Sequence, residues 1–154
     1  MDNHAKVIVK GNVACPAAVV WGRVVAFGDI AQWHPLISRS IQENTPGPGG
    51  GAVRALTTHD GAAIREELTA CDPAARTLAY TFLTSPFTVT NYCATMEVSE
   101  TGSASCLVTW TATFEPNDPA DGARLRDLFA NEVFRPGIEA LNPVGVRPET
   151  GTAS

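Results

Sequence analysis

What most constrains this chain is a run of period-two segments between residues 53 and 114, with one long helical pattern after it. Side chains alternate across a strand, so apolar residues at every second position make one buried and one wet face. "VTNYCATMEV" sets Tyr92, Ala94, Met96 and Val98 on the apolar side and Asn91, Cys93, Thr95 and Glu97 on the other. "CLVTWTATF" does the same, with Cys106, Val108, Trp110, Ala112 and Phe114 inward and Thr109, Thr111 and Thr113 outward. "AVRALTTHDGAAIREELTACD" reads as a hairpin that turns at Asp60-Gly61, and "TLAYTFLT" as the next strand. Consecutive strands of this kind form an antiparallel sheet with one face in need of a cover.

The cover is expected from residues 119–141, where Leu125, Leu128, Phe129, Val133, Ile138 and Leu141 form a broad apolar stripe. Pro136-Gly137 should kink that helix, because proline lacks a backbone donor. Ahead of the sheet run, "AKVIVKGNV" (residues 5–13) is a short strand. "CPAAVVWGRVVAF" is a helix with Pro16 in its first turn and Gly28 at its end. Asp29 can cap a second short helix, "IAQWHPLI", which Pro35 finishes, and "SRSIQENT" is a strand before the loop "PGPGGG". Strands grouped apart from helices indicate an α+β fold. The 154 residues suit one domain, residues 1–142, with 143–154 as a flexible tail.

Within the hairpin, "IREELTACD" poses a problem. Ile64, Leu68 and Ala70 share one face, and Glu66 falls in the same series, while Arg65, Glu67 and Thr69 take the wet side. A lone ionised carboxylate in apolar surroundings costs several kcal/mol, so Glu66 must be paired, hydrated or protonated. A water-lined cavity would hydrate it and let it accept a hydrogen bond from a ligand hydroxyl, or act as a general base. Alternatively, the parity slips at a bulge and Glu66 lies in solvent beside Glu67. His34, in "QWHPLI", reads either as a polar group at a pocket mouth, able to pair with Glu66 or a ligand, or as a surface histidine at a helix end.

Other chemistry is thinly represented. A net charge of −5 argues against nucleic acid or an anionic membrane as partner. The N-terminus lacks the apolar stretch of a secretory signal, and "AAVVWGRVVAF" is too short to span a bilayer, so the expectation is a soluble cytoplasmic protein. Cys15, Cys71, Cys93 and Cys106 include no CxxC pair and read as reduced, partly buried side chains. His4, His34 and His59 match no metal spacing, "PGPGGG" lacks a phosphate-loop ending, and GxSxG is absent. No metal, nucleotide or flavin cofactor is implied.

The element order, together with "CPAAVVWGRVVAFGDIAQWHPLI", "DGAAIREELTACDPAARTLAYTF", "VTNYCATMEV", "VTWTATFEP" and "NEVFRPGIEAL", resembles the helix-grip superfamily. That superfamily includes START lipid-transfer domains, pollen-allergen-like (Bet v1-like) proteins, abscisic-acid receptors and bacterial polyketide cyclase/dehydrase-like proteins. The bacterial polyketide cyclase/dehydrase-like branch is the most similar. The resemblance implies a curved antiparallel sheet of about seven strands around a long C-terminal helix, with two short helices after strand 1. It also implies a cavity between sheet and helix. The inward positions it transfers are His34 near the mouth, Glu66, Tyr92, Trp110, Phe129, Val133 and Gly137, with "HDGAA" and "TSPFT" at the entrance. Hormone-receptor relatives carry a lysine where this chain has His34, and their gating motifs are missing here.

Three functions follow as expectations. The first is binding of a small hydrophobic ligand (a lipid, an aromatic or a polyketide-like metabolite) anchored on Glu66, Tyr92 and His34. The second is a cyclase, aromatase or dehydratase in which Glu66 removes a proton alpha to a carbonyl and Tyr92 or His34 polarises the oxygen. The third is an interaction module whose interior is filled by Trp110, Phe129 and Phe134. A homodimer is compatible with each, and no sequence feature specifies one.

Overall fold

The computed structural model describes residues 4–45 and 50–143. Seven strands form one antiparallel sheet: β1 (Ala5–Val13), β2 (Ile37–Gln42), β3 (Val53–Thr58), β4 (Ala63–Asp72), β5 (Thr77–Thr84), β6 (Val89–Gly102) and β7 (Ser105–Pro116). Their order across the sheet is β1-β7-β6-β5-β4-β3-β2. The run from β2 to β7 is thus an unbroken meander, and β1 returns beside β7. This is the helix-grip architecture. Burial alternates as the sequence implies, since Tyr92, Ala94, Met96 and Val98 on β6 and Cys106, Val108, Trp110, Ala112 and Phe114 on β7 are all buried.

Between β1 and β2 lie α1 (Ala17–Val25) and a 3-10 segment (Phe27–Gln32). Both are shorter than expected. Pro16 sits at the cap position just before α1 rather than in its first turn, and the helix stops at Val25, three residues ahead of Gly28. Asp29 lies inside the 3-10 segment rather than capping it, and Trp33 to Leu36 lead directly into β2. The strand expected over "SRSIQENT" ends at Gln42.

The C-terminal helix is continuous in direction but changes character along its length. A short 3-10 turn (Pro119–Asp121) leads into α2 (Gly122–Leu128), a π-helical segment (Phe129–Phe134), and α3 (Arg135–Ala140). Pro136 occupies the first turn of α3, where its missing donor is harmless. The irregularity expected at Pro136-Gly137 therefore appears one turn earlier, as a widened segment. Asn142 at the helix end accepts a bond from the Ala14 amide (2.9 Å), and Arg23 donates to the Leu141 carbonyl (3.1 Å), which ties this end to β1 and α1.

Two sheet details differ from expectation and bear on the interior. The β3–β4 hairpin pairs Arg54 with Glu66 and Thr57 with Ala63, and the Thr58 amide donates to the Ala62 carbonyl (2.9 Å), so its loop is the three residues His59, Asp60 and Gly61 rather than a two-residue turn. Only Gly61 takes positive φ (91°) there, while the Thr58 hydroxyl and the Asp60 carboxylate bond across the loop. In β4, Leu68 pairs with Tyr80 but Ala70 pairs with Ala79, leaving Thr69 as an extra residue. That bulge turns Ala70 outward, so Ala70 is exposed rather than inward as its parity implied. Pro143 is the only residue of the expected tail among those described, and residues 46–49 of "PGPGGG" lie outside them.

Candidate functional site

Glu66 points into the protein. It precedes the β4 bulge, so its parity holds, and it is 6% exposed. It is not in solvent, and it borders the interior cavity. Arg54, directly opposite on β3 and 3% exposed, donates to Glu66 Oε1 from Nε (2.8 Å), and its Nη2 forms an ion pair with the same oxygen (2.7 Å). The guanidinium also donates to the Phe27 carbonyl (3.0 Å) and lies over the rings of Phe27 (3.8 Å) and Tyr80 (4.9 Å). Among the described residues, Glu66 Oε2 receives no hydrogen bond. Burial pushes the carboxyl's pKa up, and the Arg54 charge pulls the other way.

Arg54 escaped the sequence reading, although the signal was present. It alternates with Leu56 and Thr58 in "AVRALTT" just as Glu66 alternates with Ile64 and Leu68. A three-residue loop at His59–Gly61 places the two opposite one another.

Around this pair the side chains are mostly rings. A cavity of about 30 Å³ is lined by Glu66 and Arg54, by Tyr80, Tyr92 and Trp110 from the sheet, and by Phe129 and Val133 from the π-segment. Phe82, Phe87, Leu36 and His34 also border it. Its volume suits a water or two, far below the roughly 300–1,000 Å³ of sites for drug-sized ligands. Phe82 and Tyr92 stack at 3.8 Å between centroids, and Phe87 meets Phe129 edge-on at 5.0 Å. Behind them Trp110 stacks on Phe134 at 4.7 Å.

Six of the seven residues transferred by resemblance therefore border one space. Gly137 does not, and its role is clearance: a Cβ there would come within 2.7 Å of His34 Cδ2 and 2.8 Å of Trp110 Cζ3. Of the two expected entrance loops, only "TSPFT" puts a residue on the cavity, through Phe87.

Tyr92 is the last inward residue of the β6 alternation before a bulge. Thr90 pairs with Glu115 and Cys93 with Thr113, so Asn91 and Tyr92 together face Phe114. Asn91 absorbs the distortion at φ 54°, a value asparagine tolerates. Trp110 Nε1 donates to the Tyr80 hydroxyl at 3.0 Å. Burial holds the pKa of Tyr92 well above the ordinary phenol value, with the neighbouring Tyr80 and Glu66 adding to it, so the phenol stays protonated. Burial and Glu66 raise Tyr80 likewise.

His34 is neither at the surface nor paired with Glu66. It is 2% exposed, its Nε2–H donates to the Val133 carbonyl (2.8 Å), and its Nδ1 accepts from the Leu36 amide (3.1 Å). Both nitrogens are committed, which sets the neutral tautomer. Burial lowers its pKa from 6.5 to about 4, with the Arg54 charge adding to the effect against the opposing Val133 bond. The Val133 carbonyl belongs to the π-segment, so histidine ties that segment to the chain just ahead of β2.

Away from the interior, Arg65 forks onto Glu43 at the surface (2.6 Å), a pair of little energetic weight. Cys106 is buried, whereas Cys93 is exposed on the outer face of β6, contrary to the partly buried expectation. No group of three or more His, Cys, Asp or Glu side chains that could hold a metal ion occurs among the described residues. No helix among them is long and apolar enough to cross a membrane.

A family model described as polyketide cyclase / dehydrase and lipid transport matches residues 4–142. The chain belongs to that family. Its members' fold recurs in solved structures. A protein from Thermobifida fusca, solved by NMR, is 33% identical, with a TM-score of 0.79 over 88% of this chain and 89% of that one. The protein XoxI from Bacillus cereus is 30% identical, with a TM-score of 0.76 over 89% and 92%. The Zhui aromatase/cyclase from Streptomyces sp. R1128 shares the fold at 17% identity, with a TM-score of 0.72 over 90% and 91%. No functionally curated protein matches.

Proposed function

We propose that this polyketide cyclase/dehydrase family member binds a small, mostly apolar molecule between its sheet and C-terminal helix, anchored on Glu66. The observation that carries this reading is the buried carboxylate itself. Arg54 holds it through one oxygen, while the second oxygen has no donor among the described residues and the residue borders a ring-lined space. A carboxylate oxygen left free beside such a space is placed to accept a bond from a guest's O–H or N–H. Native mass spectrometry of freshly purified protein tests the reading. The expected result is a bound mass that organic extraction removes. Absence of any such mass, with no thermal shift across a library of apolar compounds, would overturn it in favour of the filled-interior module. That rival draws on the small cavity and on the packing of Trp110, Phe129 and Phe134.

A catalytic variant of the same site has its own support. Glu66 and the protonated phenol of Tyr92 border one cavity, which pairs a base with a group able to polarise a carbonyl oxygen. His34 drops out of that role because neither nitrogen is available. Glu66→Gln should abolish turnover of a poly-β-ketone substrate while leaving much of its binding. Retained turnover would exclude the catalytic variant.

A further inference from the structure

Four lining residues are only partly buried, namely Leu36, Phe82, Phe87 and Val133, and they mark where the interior approaches solvent. Phe87, from the β5–β6 connection, is the one aromatic ring among them that no strand or helix carries. Its ring stacks on Phe82 (5.6 Å, 26°) and meets Phe129 edge-on (5.0 Å, 68°). Phe82 in turn is the cross-strand partner of Glu66. Phe87 thus fills a slot shaped for a flat ring, one residue pair away from the unmatched carboxylate oxygen.

The polar end of that slot has a definite sign. Arg54 spends Nε and Nη2 on Glu66 and Nη1 on the Phe27 carbonyl, and Phe27 and Tyr80 lie against its guanidinium. Among the described residues Arg54 is the only Lys or Arg lining the cavity, so a ligand carboxylate would meet Glu66 without a free cation beside it. What is missing is a donor to Glu66 Oε2 among the described residues.

We propose that the interior takes a planar aromatic ring system carrying a hydroxyl or N–H donor, the ring taking the place of Phe87 and the donor reaching Glu66 Oε2. The pocket discriminates against carboxylates and long aliphatic chains. This rests on the binding reading above and narrows its ligand class. Chain-like ligands are disfavoured because accommodating them means unpacking Trp110, Phe129 and Phe134, each at most 1% exposed.

Binding of four probes to the full chain, followed by tryptophan fluorescence and calorimetry, tests this directly: 2-naphthol, naphthalene, 2-naphthoate and dodecanol. For the wild type, 2-naphthol should bind about tenfold or more tightly than each of the others, the increment expected of one hydrogen bond to a charged acceptor. Phe87→Ala should speed association of 2-naphthol. The paired replacement Arg54→Met/Glu66→Leu, which keeps the interior packed, should bind naphthol and naphthalene alike. Equal affinity of the wild type for naphthol and naphthalene would overturn the inference and leave the binding reading standing. So would a preference for 2-naphthoate or dodecanol. Failure of wild type and Phe87→Ala to bind any probe would count against both.

Discussion

At the scale of single residues, the buried ion pair has the largest consequences. Breaking a buried pair leaves an uncompensated charge and costs about 3–5 kcal/mol, whereas replacing both members with apolar groups of similar size is often neutral or stabilising. Arg54→Ala should therefore lose about that amount in urea denaturation, and Arg54→Met/Glu66→Leu should recover most of it. If the double variant is as unstable as the single one, the pair contributes net stability beyond mutual compensation. His34 makes a second prediction. It is neutral in the fold with a pKa near 4 against 6.5 for a free histidine, so in acid the unfolded chain takes up a proton that the native one refuses. This contribution is complete above pH 6.5 and is lost as pH falls through 4, by about 3 kcal/mol in total. Glu66 works with the opposite sign, because its raised pKa lets protonation favour the native state as pH falls. His34→Gln should consequently flatten the fall in stability between pH 6.5 and 4, measured by denaturation at a series of pH values.

At the scale of elements, the contact between the C-terminal helix and the segment before β2 rests on a missing side chain. Alanine in place of Gly137 would gain about 0.8–1 kcal/mol in helix propensity. Its Cβ would also press on His34 and Trp110 at under 3 Å, and overpacking of this kind costs about 1–3 kcal/mol. Both neighbours are rings locked by hydrogen bonds, His34 to Val133 and Leu36, Trp110 to Tyr80. They have little room to give, so Gly137→Ala should lower the melting temperature, and a raised one would show that the rings can shift. The bulges are the other element-scale devices. The one at Asn91-Tyr92 breaks the inward series of β6 at the phenol, and the one at Thr69 ends that of β4 after Leu68.

For the molecule as a whole, cohesion is uneven. The β6–β7 pair is the longest in the sheet and carries the fully buried Trp110 and Phe114, while β2 is a six-residue edge strand with Ile41 45% exposed. Local opening is favoured where little apolar surface is buried. Amide hydrogen exchange should show β6 and β7 exchanging only through global unfolding and β2 through local opening. Uniform protection across all seven strands would contradict that. Since β2 follows the segment bearing His34 and Leu36, opening at this edge is also the motion that loosens one rim of the cavity.

The amino-acid sequence alone determined the strands, their faces, the covering helix and the inward aim of Glu66, because these follow from periodicities of two and 3.6 residues that act within a few positions. The family resemblance rested on the same pattern. Tertiary structure decided what those side chains meet. Arg54 reaches Glu66 through the register of a hairpin loop one residue longer than expected, and His34 finds a carbonyl 99 positions away that only the packed helix presents. Ala70 turns outward because its neighbouring strand imposes a bulge. The interior is small because aromatic rings from β5, β6, β7, the β5–β6 connection and the C-terminal helix converge on it, and volume is a sum over contacts that no local pattern contains.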